Sequence, residues 1–209
     1  MAPASKKERK ARHGGNNCPF WIDRHVKEQV HVSTLKEAVD EYIKNYQKHL
    51  QNVLALYKNM KFADVVEFAG RLECPVCESV YPHQYHISHD TREDFSKALQ
   101  KVMASLQNAK SFEDLWKIIK PLGEQTKGIG NLTAYDAALR IGFQMGIPPK
   151  DYVYAFNGAT IGEGQRGQHV FPLNTFKTEL TTRLTAYEIE DFLCVFHDER
   201  GKKEFTVLK

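Results

Sequence analysis

Residues 112–146 read FEDLWKIIKPLGEQTKGIGNLTAYDAALRIGFQMG and contain two helical patterns on either side of a short glycine turn. In the first, apolar residues recur at i, i+3 and i+4, which predicts a helix that starts at Phe112 and stops before Pro121. The second pattern begins at about Ala134 and ends at Gly146, since glycine is common just past a helix end. This stretch therefore predicts two helices joined by a tight turn.

Helical patterns also dominate the rest of the chain. A Ser or Thr followed three residues later by an acid predicts helix starts at five pairs: Thr34/Glu37, Thr91/Asp94, Ser111/Asp114, Thr133/Asp136 and Thr185/Glu188. Apolar spacing predicts a long helix over about 35–59 and shorter ones over about 62–72, 95–106, 174–180 and 186–196. Lys203–Leu208 has the pattern of a terminal strand, with Val153–Phe156 as a candidate partner. The predicted fold class is mainly α: a helical bundle with a short C-terminal β-pair.

The chain has 209 residues, enough for one large domain or two small ones. We place a soft boundary near residue 110, between an N-terminal helical part (21–109) and a C-terminal part (110–209). Residues 1–20 are predicted to form a disordered basic arm, and the first twelve of them sum to +4. The whole chain carries +3, so the remainder sums to −1. A nearly neutral body gives no reason to expect DNA binding over its whole surface.

Composition excludes several classes of protein. Hydrophobic residues make up 42% and charged residues 26%, as in globular proteins. No run approaches the roughly 18 apolar residues of a membrane span, and the N-terminus lacks the apolar core of a signal peptide. We therefore expect an intracellular protein, in the cytoplasm, nucleoid or nucleus, without a membrane partner. In that setting the four cysteines are thiols or metal ligands rather than disulfides.

The glycine turn resembles the helix-hairpin-helix motif of DNA-binding and DNA-repair proteins. That motif reads Gly-(hydrophobic)-Gly, two variable residues and often Thr-Ala, places occupied here by Gly128, Ile129, Gly130, Thr133 and Ala134. The resemblance is confined to residues 112–146 and departs upstream, where Thr126 and Lys127 replace the usual Leu and Pro. Such a motif binds backbone phosphates, so the resemblance implies DNA binding without sequence specificity.

The residue types of the turn suit a phosphate contact. Two glycines let the backbone approach a phosphate closely, and N–H groups beside a helix N-terminus favour anions. Ile129 would anchor the turn in the core, and Ala134 would let the two helices approach. The predicted DNA-binding residues are Lys127, Gly128, Ile129, Gly130, Asn131, Thr133 and, in the glycine-rich loop 157–169, Arg166. The alternatives are an ordinary connection between core helices and a site for another anion.

A weaker resemblance concerns Asp151. DNA glycosylases of the endonuclease III type carry a catalytic aspartate about twenty residues beyond the hairpin's second glycine, and Asp151 lies twenty-one beyond Gly130. The resemblance implies an acid that stabilises positive charge at the sugar or activates a nucleophile. The family's lysine nucleophile is replaced by Leu132, which excludes lyase chemistry by that lysine. The alternative is an acid at a helix start after Pro149. Whether the chain is an enzyme stays open.

Residues 73–90, here called the Cys/His segment, read ECPVCESVYPHQYHISHD. A C-x2-C turn supplies two of the four ligands of a tetrahedral zinc site. The candidate ligands are Cys74, Cys77, His83, His86 and His89, with Cys18 or His25 as substitutes. The pattern predicts a structural zinc ion, and the alternative is surface histidines with cysteines in the core. Three functions follow: non-specific DNA binding, a monofunctional DNA-base-processing enzyme, and a zinc-ordered interaction or structural protein.

Overall fold

The computed structural model describes residues 32–156, 169–196 and 206–209, and in these ranges the protein is mainly α-helical, as predicted. The helices are α1 Leu35–Tyr42, α2 Lys48–Lys58, α3 Phe62–Arg71, α4 His89–Lys101, α5 Met103–Asn108, α6 Phe112–Gln125, α7 Asn131–Met145, α8 Thr178–Thr181 and α9 Ala186–Val195. Two short 3₁₀ turns cover Pro82–Gln84 and Leu173–Thr175. Strand β1, Tyr152–Tyr154, pairs antiparallel with β2, Val170–Pro172, so that Val153 faces Phe171. No helix in the described ranges is both long enough and apolar enough to cross a membrane.

The described residues divide into two compact units. We call residues 54–146 the hairpin unit, and residues 32–53, 147–156, 169–196 and 206–209 the sheet unit. The boundary expected near residue 110 falls inside the hairpin unit, because α4 and α6, on either side of that position, pack on each other. The division instead falls within α2 and again just after α7.

The hairpin unit is a bundle in which α3 packs on α4 and α7, and α6 packs on α7. Small residues permit the closest approach: a Cβ at Gly70 of α3 would lie 2.5 Å from the Cα of Ser96 on α4. The interior is filled by large apolar side chains such as Phe95, Leu99 and Leu115, which are fully buried. These are the residues that the i, i+3, i+4 spacing places on one face of each helix.

The sheet unit surrounds its own apolar core, which includes Val39, Val153, Phe176 and Phe192. Buried acids of α9 are hydrogen-bonded to neutral donors. The Tyr42 hydroxyl donates to Asp191 at 2.9 Å, and a side-chain amide of Gln51 donates to Glu188 at 2.8 Å. A buried carboxylate is tolerated when it accepts several hydrogen bonds.

Three of the five predicted helix starts are confirmed. Thr34 with Glu37, and Thr185 with Glu188, form complete capping boxes. Ser111 caps α6, where its hydroxyl accepts from the backbone N–H of Asp114 at 3.1 Å. The helix predicted over 35–59 is also present, as α1 and α2 joined through a π-helical turn at Ile43–Gln47.

The other two predicted starts are wrong. The N-cap of α4 is Ser88, three residues before Thr91, and its hydroxyl accepts from the Thr91 N–H at 3.2 Å. Helix α7 is preceded by Gly130 at the N-cap position, and Thr133 is buried two residues inside the helix. In both helices the cap lies one turn upstream of the predicted position.

Three further expectations are corrected. Helix α6 continues through Pro121 to Gln125, because packing of Ile119 and Gly123 into the interior outweighs the single backbone hydrogen bond that proline removes. The partner of β1 is β2 rather than the chain's C-terminal residues, where Leu208 forms an isolated bridge with Phe176.

The predicted helix over 95–106 is interrupted at Val102, whose backbone leaves helical geometry. The basic arm (1–20) lies outside the described residues.

Candidate nucleic-acid interface

The glycine turn between α6 and α7 exposes its backbone. Gly128 has φ +96°, a left-handed conformation that glycine adopts without strain. Gly130 is the N-cap of α7 with φ −90° and ψ 171°, and it offers no side chain to cap the first amides of the helix. A Cβ placed on Gly130 would meet no other atom within 4 Å. Gly130 therefore gives the first amides of α7 no side-chain acceptor, and the space around its Cα is open.

The opposite side of the turn is fixed in the core. Ile129 is buried, and its backbone N–H donates to the Thr126 carbonyl at 3.0 Å. A Cβ on Gly123 of α6 would lie 2.9 Å from the Ala134 Cβ and 3.3 Å from Ile129 Cγ2. The predicted roles of Ile129 as an anchor and of Ala134 as a close-approach residue are confirmed. Thr133 is buried beneath the turn.

The hairpin unit has no net charge, but the glycine turn carries an exposed cation of its own. Residues 54–146 contain eleven Lys or Arg and eleven Asp or Glu, so the hairpin unit is neutral overall. Lys127 is exposed within the turn, next to Gly128. Lys120, on the preceding helix, is paired with Glu124. At the turn itself, the positive contributions are Lys127 and the N-terminal end of the α7 dipole.

The N-terminus of α4 lies beside the same turn. A Cβ on Gly128 would be 3.4 Å from Cγ2 of Thr91. The Ser88 hydroxyl donates to the Thr91 hydroxyl at 2.9 Å while it caps α4. Two helix starts are therefore neighbours here. The one at α4 is capped by a side chain, and the one at α7 has a glycine in the capping position.

The C-x2-C pair forms a tight turn at the start of the Cys/His segment. An antiparallel bridge between Glu73 and Val80 closes the turn, and the Cys74 N–H donates to the Ser79 carbonyl at 2.9 Å. Glu78 adopts a left-handed conformation with φ +54° directly after Cys77. Cys74 is buried and Cys77 is half-buried.

The three histidines lie in different surroundings. His83 Nε2 is 2.7 Å from Oδ2 of Asp136 on α7, the His86 ring packs edge-on against Tyr85, and His89 begins α4 near Glu93. In the described part of the chain, no three His, Cys, Asp or Glu side chains are grouped so as to hold a metal ion. Cys18 and His25 lie outside those residues. The zinc site stays a prediction, which metal analysis of the purified protein can test.

A buried polar network holds the Cys/His segment against α7. Asp136 accepts from Gln84 Nε2 at 2.5 Å and lies 3.9 Å from the guanidinium of Arg140. Arg140 is 5% exposed, and its guanidinium carbon is 4.1 Å from the ring centroid of Tyr81. The Tyr81 hydroxyl is 2.6 Å from that of Tyr57. Burial raises the pKa of both tyrosines, which therefore stay neutral.

Sequence reasoning did not identify this network. Its one local signal is the i, i+4 spacing of Asp136 and Arg140, which is typical of an ion pair on a helix surface. The pair is instead at the interior face of α7, where it meets residues more than fifty positions away in the chain. Burial of that face could not be read from the charge pattern alone.

Asp151, the predicted catalytic acid, belongs to the sheet unit. It lies exposed at a bend directly before β1, and its backbone carbonyl accepts from the Leu173 N–H at 2.8 Å. It borders an open cleft of about 470 Å³ together with Asn174 and Thr181. The alternative of an acid at a helix start is wrong, because a strand follows. The catalytic role of Asp151 stays a prediction. Arg166, the predicted DNA-binding residue of the glycine-rich loop, lies outside the described residues.

Comparisons of the chain with protein-family models, with curated proteins and with solved structures give no match. The case for a function therefore depends on the geometry of the site.

Proposed function

We propose that the protein binds DNA without sequence specificity, by holding backbone phosphates at the glycine turn. One observation carries the proposal: the turn exposes the backbone of Gly128 and Gly130 at an uncapped helix start while Ile129 fixes it in the core. Amides held in this way can donate to phosphate oxygens without first reorganising. Lys127 adds a cation at the same place.

The neutral charge of the hairpin unit limits how strong this binding can be. Each phosphate neutralised contributes about −0.9 to the slope of log affinity against log salt for duplex DNA. A turn with one cation and one helix start engages one or two phosphates, so we expect a shallow slope and a Kd on the order of 10⁻⁴ to 10⁻⁶ M. The basic residues of the N-terminal arm would add to that slope.

The decisive experiment compares Gly130→Asp with Gly130→Asn. Both side chains are good N-caps, and the space around Gly130 is open, so neither variant should lower the thermal stability of the fold. Asp, however, places a negative charge where the phosphate would bind. We expect fluorescence anisotropy with labelled duplex DNA, at about 50 mM salt, to show binding abolished by Asp and only weakened by Asn.

Lys127→Gln provides an independent measure of the same contact. We expect it to weaken binding to all sequences equally and to reduce the magnitude of the salt slope by about one. If Gly130→Asp bound duplex and single-stranded DNA as tightly as the wild type at both about 50 and about 200 mM salt, the proposal would be wrong. The turn would then be a connection between two core helices.

A further inference from the structure

Two ring-bearing side chains of the Cys/His segment, Tyr85 and His86, are exposed on the hairpin unit. Tyr85 is 62% exposed and is one of three large hydrophobic or aromatic side chains left exposed in the described part of the chain. Its ring packs edge-on against His86, with centroids 6.3 Å apart. Other tyrosines of this unit, such as Tyr57 and Tyr135, are fully buried, so the fold does not use Tyr85 as a core residue.

The backbone that carries Tyr85 is anchored on both sides. Gln84 is 1% exposed and donates to Asp136 of α7 at 2.5 Å. On the other side Ile87 is buried, and its N–H donates to the Gln84 carbonyl at 3.0 Å. Tyr85 therefore projects from a short turn held at both ends, and ordering its backbone on binding would cost little entropy.

The same anchors tie the turn that carries Tyr85 to α7, the helix whose N-terminus forms the proposed phosphate site. Asp136 lies six residues after Gly130, which is about 9 Å along the axis of α7. From Gln84, which contacts Asp136, the chain continues to Thr91, which lies against Gly128. Gln84 and Thr91, on either side of Tyr85 in the chain, thus lie against α7 and the glycine turn respectively. A strand held at the turn and extended along α7 would pass the segment that carries Tyr85.

We propose that Tyr85 stacks on an unpaired base of the strand whose phosphates the glycine turn holds, so that the preferred substrate is single-stranded or locally unpaired DNA. This inference rests on the proposed function. An aromatic ring stacks on any base that presents a free face, whereas a base within an intact duplex is stacked on its neighbours. Stacking also supplies affinity that does not depend on charge, which suits a hairpin unit with equal numbers of cations and anions.

The experiment uses the full chain and three labelled probes of equal length: oligo(dT), the corresponding strand of abasic sugar-phosphates, and a duplex. Anisotropy is measured at about 200 mM salt, where phosphate contacts are weakened and stacking remains. The variants are Tyr85→Ala, Tyr85→Phe and, as a matched control, Tyr152→Ala. Tyr152 is a second exposed tyrosine, on β1 of the sheet unit. Circular dichroism checks that each variant is folded.

We expect the wild type to bind oligo(dT) more tightly than the abasic strand or the duplex. Tyr85→Ala should weaken binding to oligo(dT) by about 5- to 150-fold and leave binding to the abasic strand unchanged. Tyr85→Phe keeps the ring and should bind as the wild type does, as should Tyr152→Ala.

Three outcomes would overturn the inference. If Tyr85→Ala bound oligo(dT) as the wild type does while Gly130→Asp did not bind, stacking would be wrong and the phosphate site would stand. If Tyr85→Ala lost affinity equally for oligo(dT) and the abasic strand, its contact would not involve a base. If the wild type bound none of the probes even at about 50 mM salt, the proposed function and this inference would both be wrong.

Discussion

The glycine turn and the Cys/His segment both adjoin α7, but different forces hold them in place. The turn depends on local backbone geometry, with Gly128 at positive φ and Ile129 buried beneath it. The Cys/His segment depends on side chains from distant parts of the chain, through the contacts of Gln84 and His83 with Asp136. Because Asp136 contacts two residues of the segment at once, we expect substitutions at the partners on α7 to destabilise the segment more than a substitution of His83 or Gln84 alone.

The largest effect that this comparison predicts is at Arg140. Arg140→Met removes the cation that faces Asp136 and the ring of Tyr81. The largely buried carboxylate of Asp136 then loses its positively charged neighbour. Removing one partner of a buried ion pair costs about 3–5 kcal/mol, so we expect a corresponding fall in the free energy of unfolding measured with urea. We also expect proteolysis to cleave the Cys/His segment before the rest of the hairpin unit.

A charge-matched double variant serves as the control for Arg140. In Arg140→Met with Asp136→Asn, both charges are absent, and part of the lost stability should return. If the single and double variants were equally unstable, packing of the Arg140 side chain rather than its charge would hold the segment.

The next effect is at the base of the glycine turn. Gly123→Val puts side-chain atoms where Ala134 and Ile129 lie within 3.3 Å of a Cβ position, and should separate α6 from α7. Overpacking of this kind costs about 2 kcal/mol, and thermal unfolding should show it. Gly130→Asn is the matched control, since its side chain has room and caps α7. Equal stability of Gly123→Val and the wild type would contradict the close approach of the two helices.

A smaller effect distinguishes Tyr57 from Tyr81. Tyr57 also reaches the Glu73 carbonyl, at 3.3 Å, so Tyr81→Phe leaves Tyr57 with an acceptor. Tyr57→Phe instead removes the partner of the hydroxyl of Tyr81, a half-buried residue. Because a partly buried hydroxyl left without its partner costs more than a hydrogen bond whose donor keeps another acceptor, we expect Tyr57→Phe to be the less stable variant by about 1 kcal/mol. Urea unfolding of the two variants side by side measures the difference, and the reverse order would contradict the arrangement.

The smallest effect is a pH dependence at the start of α6. The backbone N–H of Lys110 donates to Asp114, and with Ser111 it holds the pKa of that carboxyl below its usual range. A lowered folded-state pKa means that the stabilisation is present above the unfolded value, about 4, and is lost as the pH falls through the folded value. The stability difference between the wild type and Asp114→Asn should therefore shrink below about pH 4. A difference that stayed constant from about pH 6 to pH 2 would contradict this assignment.

Several elements could be predicted because their causes lie within a few residues. The capping boxes at Thr34 and Thr185 and the helical end at Gly146 follow from contacts across one turn of helix. The same locality explains the errors. A hydroxyl that fits the capping pattern at Thr133 is in fact buried by the packing of α7, and the cap is the glycine one turn before it.

The sequence by itself determined the mainly α fold, most helix starts and the form of the glycine turn, since hydrogen bonds and apolar spacing within a helix are local. Only the tertiary structure decided that Asp136 and Arg140 face the interior, that His83 meets Asp136, and that β1 pairs with β2. Those contacts join residues many positions apart, and their formation depends on which faces the packed helices bury. The exposure of Tyr85, next to the anchored Gln84, is a consequence of that packing.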